Sequence, residues 1–140
     1  MGTRPIPGAI LIEVHMNIPE NLLYTKEHEW ARVEKDTACI GITDFAQGEL
    51  GDIVFVEMPK SGQAVTQAKS CASIEAVKAV SDLYAPLSGT IVETNPELEA
   101  NPQLINQDPY GKGWILKIRM SNGEEKKNLL SAADYQKLIA

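Results

Sequence analysis

Ser70-Cys-Ala-Ser-Ile-Glu-Ala-Val-Lys78-Ala-Val-Ser-Asp-Leu-Tyr-Ala-Pro86 is the stretch whose reading decides the fold. It reads as two short β-strands facing each other across a tight turn, with one lysine at the tip. Ser70, Ala72, Ile74 and Ala76 share one face of the first strand; Cys71, Ser73, Glu75 and Val77 share the other. Small and β-branched residues at a period of two favour extended chain. After the turn, Val80, Leu83 and Tyr84 are expected to return toward a core, and Pro86 closes the segment. The turn carries no Asn-Gly or Asp-Gly, the usual marks of a two-residue hairpin. A lysine between Val77 and Ala79 stands there instead. A turn lysine taken at random is simply solvated, so what surrounds this one matters.

Upstream, Gln63-Ala-Val-Thr66 is a short strand and Pro59-Lys-Ser-Gly62 has turn chemistry. The four apolar residues Ile53-Val-Phe-Val56 predict a strand buried on both faces. Thr43 occupies a helix N-cap position with Asp44 in the first turn, and Gly51 ends the short helix that follows. Thr37–Ile42 is a strand, reached through a turn at Lys35-Asp36. Before it, Trp30, Arg32 and Glu34 alternate with Ala31 and Val33, the pattern of another strand. His28 has no serine or cysteine placed to be its nucleophile, and is expected to be a partly exposed strand histidine.

Downstream, Pro86-Leu-Ser-Gly-Thr-Ile-Val92 echoes Pro59-Lys-Ser-Gly-Gln-Ala-Val65, which suggests two similar strand-and-turn units related by a pseudo-two-fold axis. The prolines at 96 and 102 leave room for one helical turn between them, and Gln103–Asn106 offers another. Tyr110-Gly-Lys-Gly113 is a loop. Trp114, Leu116, Ile118 and Met120 alternate with Lys117 and Arg119 as a half-buried strand. Ser131-Ala-Ala-Asp134 is close to a capping box, and Tyr135, Leu138 and Ile139 form the apolar stripe of a final helix.

At 140 residues the chain is most simply one domain, large enough for a core without disulfide or metal support. No apolar run approaches the roughly 20 residues of a membrane helix. A net charge of −6 argues against nucleic acid and permits contact with basic partner surfaces. Cys39 and Cys71 have no metal-ligand spacing, form no disulfide framework and fit a reducing compartment. Residues 1–15 carry one acid and one base, and His15-Met16 has the look of a cloning junction. They are read as an expression scar, leaving 16–140 as a single domain.

The lysine hairpin resembles the modification site of lipoyl carriers, in particular the H protein family of the glycine cleavage system. Glu75-Ala-Val-Lys78-Ala79 is similar to the family's site, and Gly89 follows Lys78 by eleven residues. His28-Glu-Trp30, Ile40-Gly-Ile-Thr-Asp44 and Gly51-Asp-Ile-Val-Phe-Val-Glu57 precede it in the family's order, and Pro109-Tyr-Gly-Lys-Gly-Trp114 follows. The likeness runs from about Pro19 to the C-terminus. It implies a mostly β fold, a barrel-sandwich hybrid with short flanking helices and a C-terminal helix.

The same resemblance implies a carrier rather than an enzyme. Lipoate would be bound as an amide to Lys78, with Glu75 read by a lipoylating enzyme. Its partners would be a pyridoxal-phosphate glycine decarboxylase, a tetrahydrofolate-dependent aminomethyltransferase and a FAD-containing dihydrolipoamide dehydrogenase. Lysine and lipoyl together reach roughly 14 Å from the backbone. Glu29 and Asp82 would hold the loaded end of the arm, with Ile42 as an apolar wall. The cytoplasm of a bacterium is the expected location, or the mitochondrial matrix for an organellar form. Two alternatives stay open: an H-like lipoyl protein in lipoate relay or sulfur metabolism, and a biotin carrier. Val77 and Ala79 do not fit the methionines that flank a biotinyl-lysine.

Overall fold

A computed structural model describes residues 17–140, and the segment 1–15 set apart above lies outside the described residues. In chain order the described part forms β1 (Leu23–Tyr24), β2 (Glu29–Glu34), β3 (Thr37–Ile42), α1 (Asp44–Leu50), β4 (Ile53–Glu57), β5 (Ala64–Val65), β6 (Ser70–Ala76) and β7 (Val80–Tyr84). Then come β8 (Gly89–Thr94), α2 (Glu97–Ala100), α3 (Leu104–Gln107), β9 (Leu116–Met120), a 3₁₀ turn (Gly123–Asn128) and α4 (Ala132–Ile139). Two sheets result, one ordered β1-β2-β3-β9-β8-β5 and the other β4-β6-β7. The expected mostly β sandwich is present, with open sheet edges in place of a closed barrel.

The lysine hairpin is β6 and β7. Ala72, Ile74 and Ala76 face inward as their period requires, and meet Ile40, Ile91 and Ile118 of the larger sheet in one core. Burying a side chain the size of Ile74 stabilises the fold by about 1.5–3 kcal/mol. On the return strand only Leu83 joins that core. Val80 was expected there but is 67% exposed, and Tyr84 is half-buried. The register explains the correction: Val80 stands opposite Glu75 on the outer face, whereas Leu83 stands opposite inward Ala72.

β4 also departs from expectation. It is an edge strand with a bulge between Ile53 and Phe55, and only Ile53 and Val56 are buried. Val54 and Phe55 are each 49% exposed, because none of the described residues covers the outer face of the smaller sheet beside them. β2 errs the other way, since Glu29, Trp30 and Ala31 are all buried. Ala31 faces the main core. Trp30 points to the opposite side, into a second cluster of Leu22, Tyr24, Ala132 and Tyr135 beneath α4. Gly41 pairs with Trp30 across β2 and β3, where a Cβ would stand 2.6 Å from the indole Cζ2.

The helix ends follow the sequence. Thr43 Oγ1 accepts from Ala46 N at 3.2 Å, and Gly51, with φ of +83°, donates its N–H to Gln47 O to close α1. Ser131 Oγ accepts from Asp134 N at the start of α4. Of the expected stripe on α4, Tyr135 is fully buried and Ile139 packs at the edge of the second cluster. Leu138 is exposed, because this two-turn helix covers only the small patch over β1 and β2. The echoed segments pair with each other antiparallel, Ala64 with Thr90 and Val65 with Gly89, about a local two-fold.

Candidate functional site

The hairpin tip is a four-residue turn, Ala76 to Ala79, closed by Ala76 N donating to Ala79 O at 2.7 Å. Val77 and Lys78 are its central residues and neither has a positive φ. Turns without left-handed residues splay the strands they join. Here a neighbour holds the tip: Val77 N donates to Asp52 O at 3.0 Å, just before β4. Val77, Lys78, Ala79 and Val80 are all exposed. The Lys78 stem leans over the end of α1, where a Cβ on Gly51 would lie 4.0 Å from Lys78 Cε.

Beside that end of α1 is a cleft of about 210 Å³, walled by the turn before β2, by α1 and by β6 and β7. It gathers Glu29, Ile42 and Asp82, three residues far apart in sequence. Ile42, Phe45, Ala46, Leu50 and Ile74 make it apolar, while Glu27, Glu49 and Asp82 bring further carboxylates to its lining. Such a lining fits a lipoyl tail: the apolar walls suit the hydrocarbon and dithiolane, and the acids suit a cationic end. Glu75 is not in this cleft. It lies on the outer face of the smaller sheet, between Phe55 and Val80 in register and three residues from Lys78.

Glu29 is 1% exposed, at the start of β2. One carboxylate oxygen accepts from the Thr25 hydroxyl, and the other accepts from Tyr84 N at 3.0 Å, tying β2 to the edge of β7. Burial pushes its pKa up to about 7, against the lowering effect of those two hydrogen bonds. Asp82 is exposed at the cleft rim. A larger cleft of about 450 Å³ lies on the other side of Glu29, between Lys26, Tyr84–Pro86 and Asn128–Leu130. It belongs to the base of the hairpin, away from the lysine, so the smaller cleft is the one within reach of Lys78.

His28 is not a strand residue. It sits in the turn before β2 with φ of +72°, and its ring lines the small cleft 4.9 Å from that of Phe45. Its Nδ1 lies 2.8 Å from the Tyr135 hydroxyl, which is also 2.7 Å from Thr43 Oγ1. Burial lowers the His28 pKa, opposed by Glu27 and Glu49. Sequence reasoning missed this arrangement, because 107 residues separate His28 from Tyr135 and no spacing signals it. The surroundings of Lys78 are acidic throughout. Segments 44–58 and 70–84 hold Asp44, Glu49, Asp52, Glu57, Glu75 and Asp82 against the single base Lys78.

Comparison with known proteins agrees with this geometry. The sequence model of the glycine cleavage H-protein family matches residues 22–140. The chain is 50% identical over 124 residues to the glycine cleavage system H protein of Halothermothrix orenii, covering 89% of this chain and 97% of that one. It is 56% identical over 119 residues to that of Symbiobacterium thermophilum, covering 85% and 93%. The crystal structure of a glycine cleavage system H protein from Mycobacterium marinum superposes with a TM-score of 0.79 at 39% identity, over 86% of this chain and 97% of that one.

Proposed function

The chain belongs to the glycine cleavage H-protein family, and from that membership we propose that it is the lipoyl-lysine carrier of the glycine cleavage system, with lipoate amide-linked to Lys78 Nζ. The observation that carries the assignment is a lone exposed lysine at the tip of an anchored hairpin, beside a cleft whose lining suits the arm. When attached, the dithiolane takes up the aminomethyl group of glycine together with two electrons, and yields each to a different partner. Those partners are glycine decarboxylase, the aminomethyltransferase and dihydrolipoamide dehydrogenase, after a lipoylating enzyme has read Glu75 and acylated Lys78. The chain acts as their shared substrate and works in the cytoplasm.

The chain's own residues hold the loaded end between visits. Ile42 and its apolar neighbours exclude water from the cleft. Glu29 and Asp82 favour the protonated form of an amine that comes within about 4–6 Å. A protonated nitrogen has no lone pair with which to expel a neighbouring sulfur. Each Glu29 oxygen already accepts one hydrogen bond, and a carboxylate oxygen has capacity for a second.

Lys78→Arg tests the attachment, because a guanidinium is not acylated at neutral pH. Intact mass after expression with lipoate is expected to show the wild type modified and the folded variant unmodified. A lipoyl mass on the variant, or one mapped to Lys60 or Lys69, overturns the assignment.

A further inference from the structure

Thr43 is fully buried, and its hydroxyl has two neighbours: Ala46 N, which donates to it, and the Tyr135 hydroxyl. Ala46 N supplies a proton, so the Thr43 hydrogen has only the Tyr135 oxygen to go to. Tyr135 is then left with its own hydrogen and one remaining acceptor, His28 Nδ1. The opposite direction, with His28 donating to Tyr135 and Tyr135 to Thr43, strands the Thr43 hydrogen where water does not reach. Among the described residues no buried side-chain nitrogen or oxygen lacks a partner, and a buried unpaired donor is costly.

We infer that Tyr135 is a positioning residue, whose hydroxyl relays from Thr43 to hold His28 as the neutral Nε2–H tautomer on the wall of the small cleft. Protonating His28 puts a hydrogen on Nδ1, which reverses both hydroxyls of the relay and breaks it. Geometry and burial therefore act together to keep the ring uncharged. The groups around the ring from every side are Glu27 on its own turn, Glu29 on β2, Glu49 on α1, Asp82 on β7 and Tyr135 on α4. Of these, Glu27 and Glu49 attract a proton to the imidazole. The relay opposes that attraction, and so leaves them free to neutralise a cation on the docked arm in place of an imidazolium. Its use in holding the arm rests on the functional reading above; the tautomer does not.

Long-range ¹H–¹⁵N correlation spectra of the unmodified chain distinguish the two tautomers, and His28 is one of only two histidines. The wild type is expected to show the Nε2–H pattern near pH 7.5. Tyr135→Phe is expected to mix the tautomers and raise the His28 titration midpoint. Thr43→Val frees the direction of the relay and is expected to mix them too, whereas Thr43→Ser restores the wild-type pattern. An Nδ1–H pattern in the wild type overturns the inference without recourse to any variant. An unchanged His28 spectrum in a folded Tyr135→Phe chain also overturns it, leaving Tyr135 a packing residue only. If these spectra come out as stated but loss of the aminomethyl group is unaltered in Tyr135→Phe, the relay stands and the arm-docking role of the cleft falls.

Discussion

The Glu29 carboxylate is placed where a buried charge is both useful and costly. The unfolded chain gives up this proton near the ordinary value of 4.5, whereas the folded chain keeps it to about pH 7. Between those limits the folded state binds more protons, so this group's contribution to stability falls as pH rises through the window and levels off above it. The whole effect amounts to about 3 kcal/mol at most. Glu29→Gln can still accept from Tyr84 N and can donate to Thr25. Urea unfolding at pH 5 and pH 8 is expected to show the variant losing less stability on the way up, and at least matching the wild type at pH 8. A wild type more stable than Glu29→Gln at pH 8 by over about 1 kcal/mol contradicts this reading. Nothing in His-Glu-Trp reveals that the glutamate bridges two strands; that follows from the left-handed His28 backbone and the Thr25 turn, which the side chains do not spell out.

The β6–β7 hairpin was the most legible element, because strict alternation around Ile74 fixes which face is buried. Beyond its turn the reading lost register. Without primed-turn residues at 77 and 78, no rule told whether Val80 or Ser81 would face inward. Ile53-Val-Phe-Val56 failed for a related reason: an unbroken apolar run carries no period, so an edge strand looks like a central one. Glu75 stands on the outer face that these misreadings hid, between Phe55 and Val80, and the proposed function makes that face the one a lipoylating enzyme reads. Glu75→Gln is expected to slow lipoylation of Lys78 several-fold while moving the unfolding midpoint little. Glu75 is half-buried but makes no side-chain hydrogen bond or ion pair among the described residues, and substitutions away from such contacts usually fall within about 0.5 kcal/mol. Time courses of modification by mass spectrometry check it; equal rates reduce Glu75 to ordinary surface.

Across the whole molecule, the small cleft exists only because both sheets and α1 meet there. Ile42 and Glu29 come from the six-stranded sheet, Ile74 and Asp82 from the three-stranded one. The exposed position of Lys78 at a hairpin tip was legible in the sequence, whereas the placing of Glu29, Ile42 and Asp82 in one cleft required the fold. Asp82→Asn and Glu29→Ala are each expected to hasten spontaneous release of formaldehyde and ammonia from aminomethylated protein, by roughly tenfold for one lost charge-assisted contact. Lipoylation of Lys78 is expected to be unaffected. Equal decay in the wild type and both variants, followed without partner enzymes, removes these carboxylates from the holding role.

The solitary base among the acids at 44–58 and 70–84 has one more consequence. An ammonium is the one positive charge within those two segments, and acylation would turn it into a neutral amide. The chain's formal charge then goes from −6 to −7, the −6 of the free chain less the one cation removed, and the change falls at the exposed tip of the hairpin. The acids of these two segments, Glu49, Asp52 and Glu75 among them, then face a visiting basic surface with no base left inside either segment. Free and acylated chains thus differ in how they look from a Debye length away, before any group on the arm is exchanged.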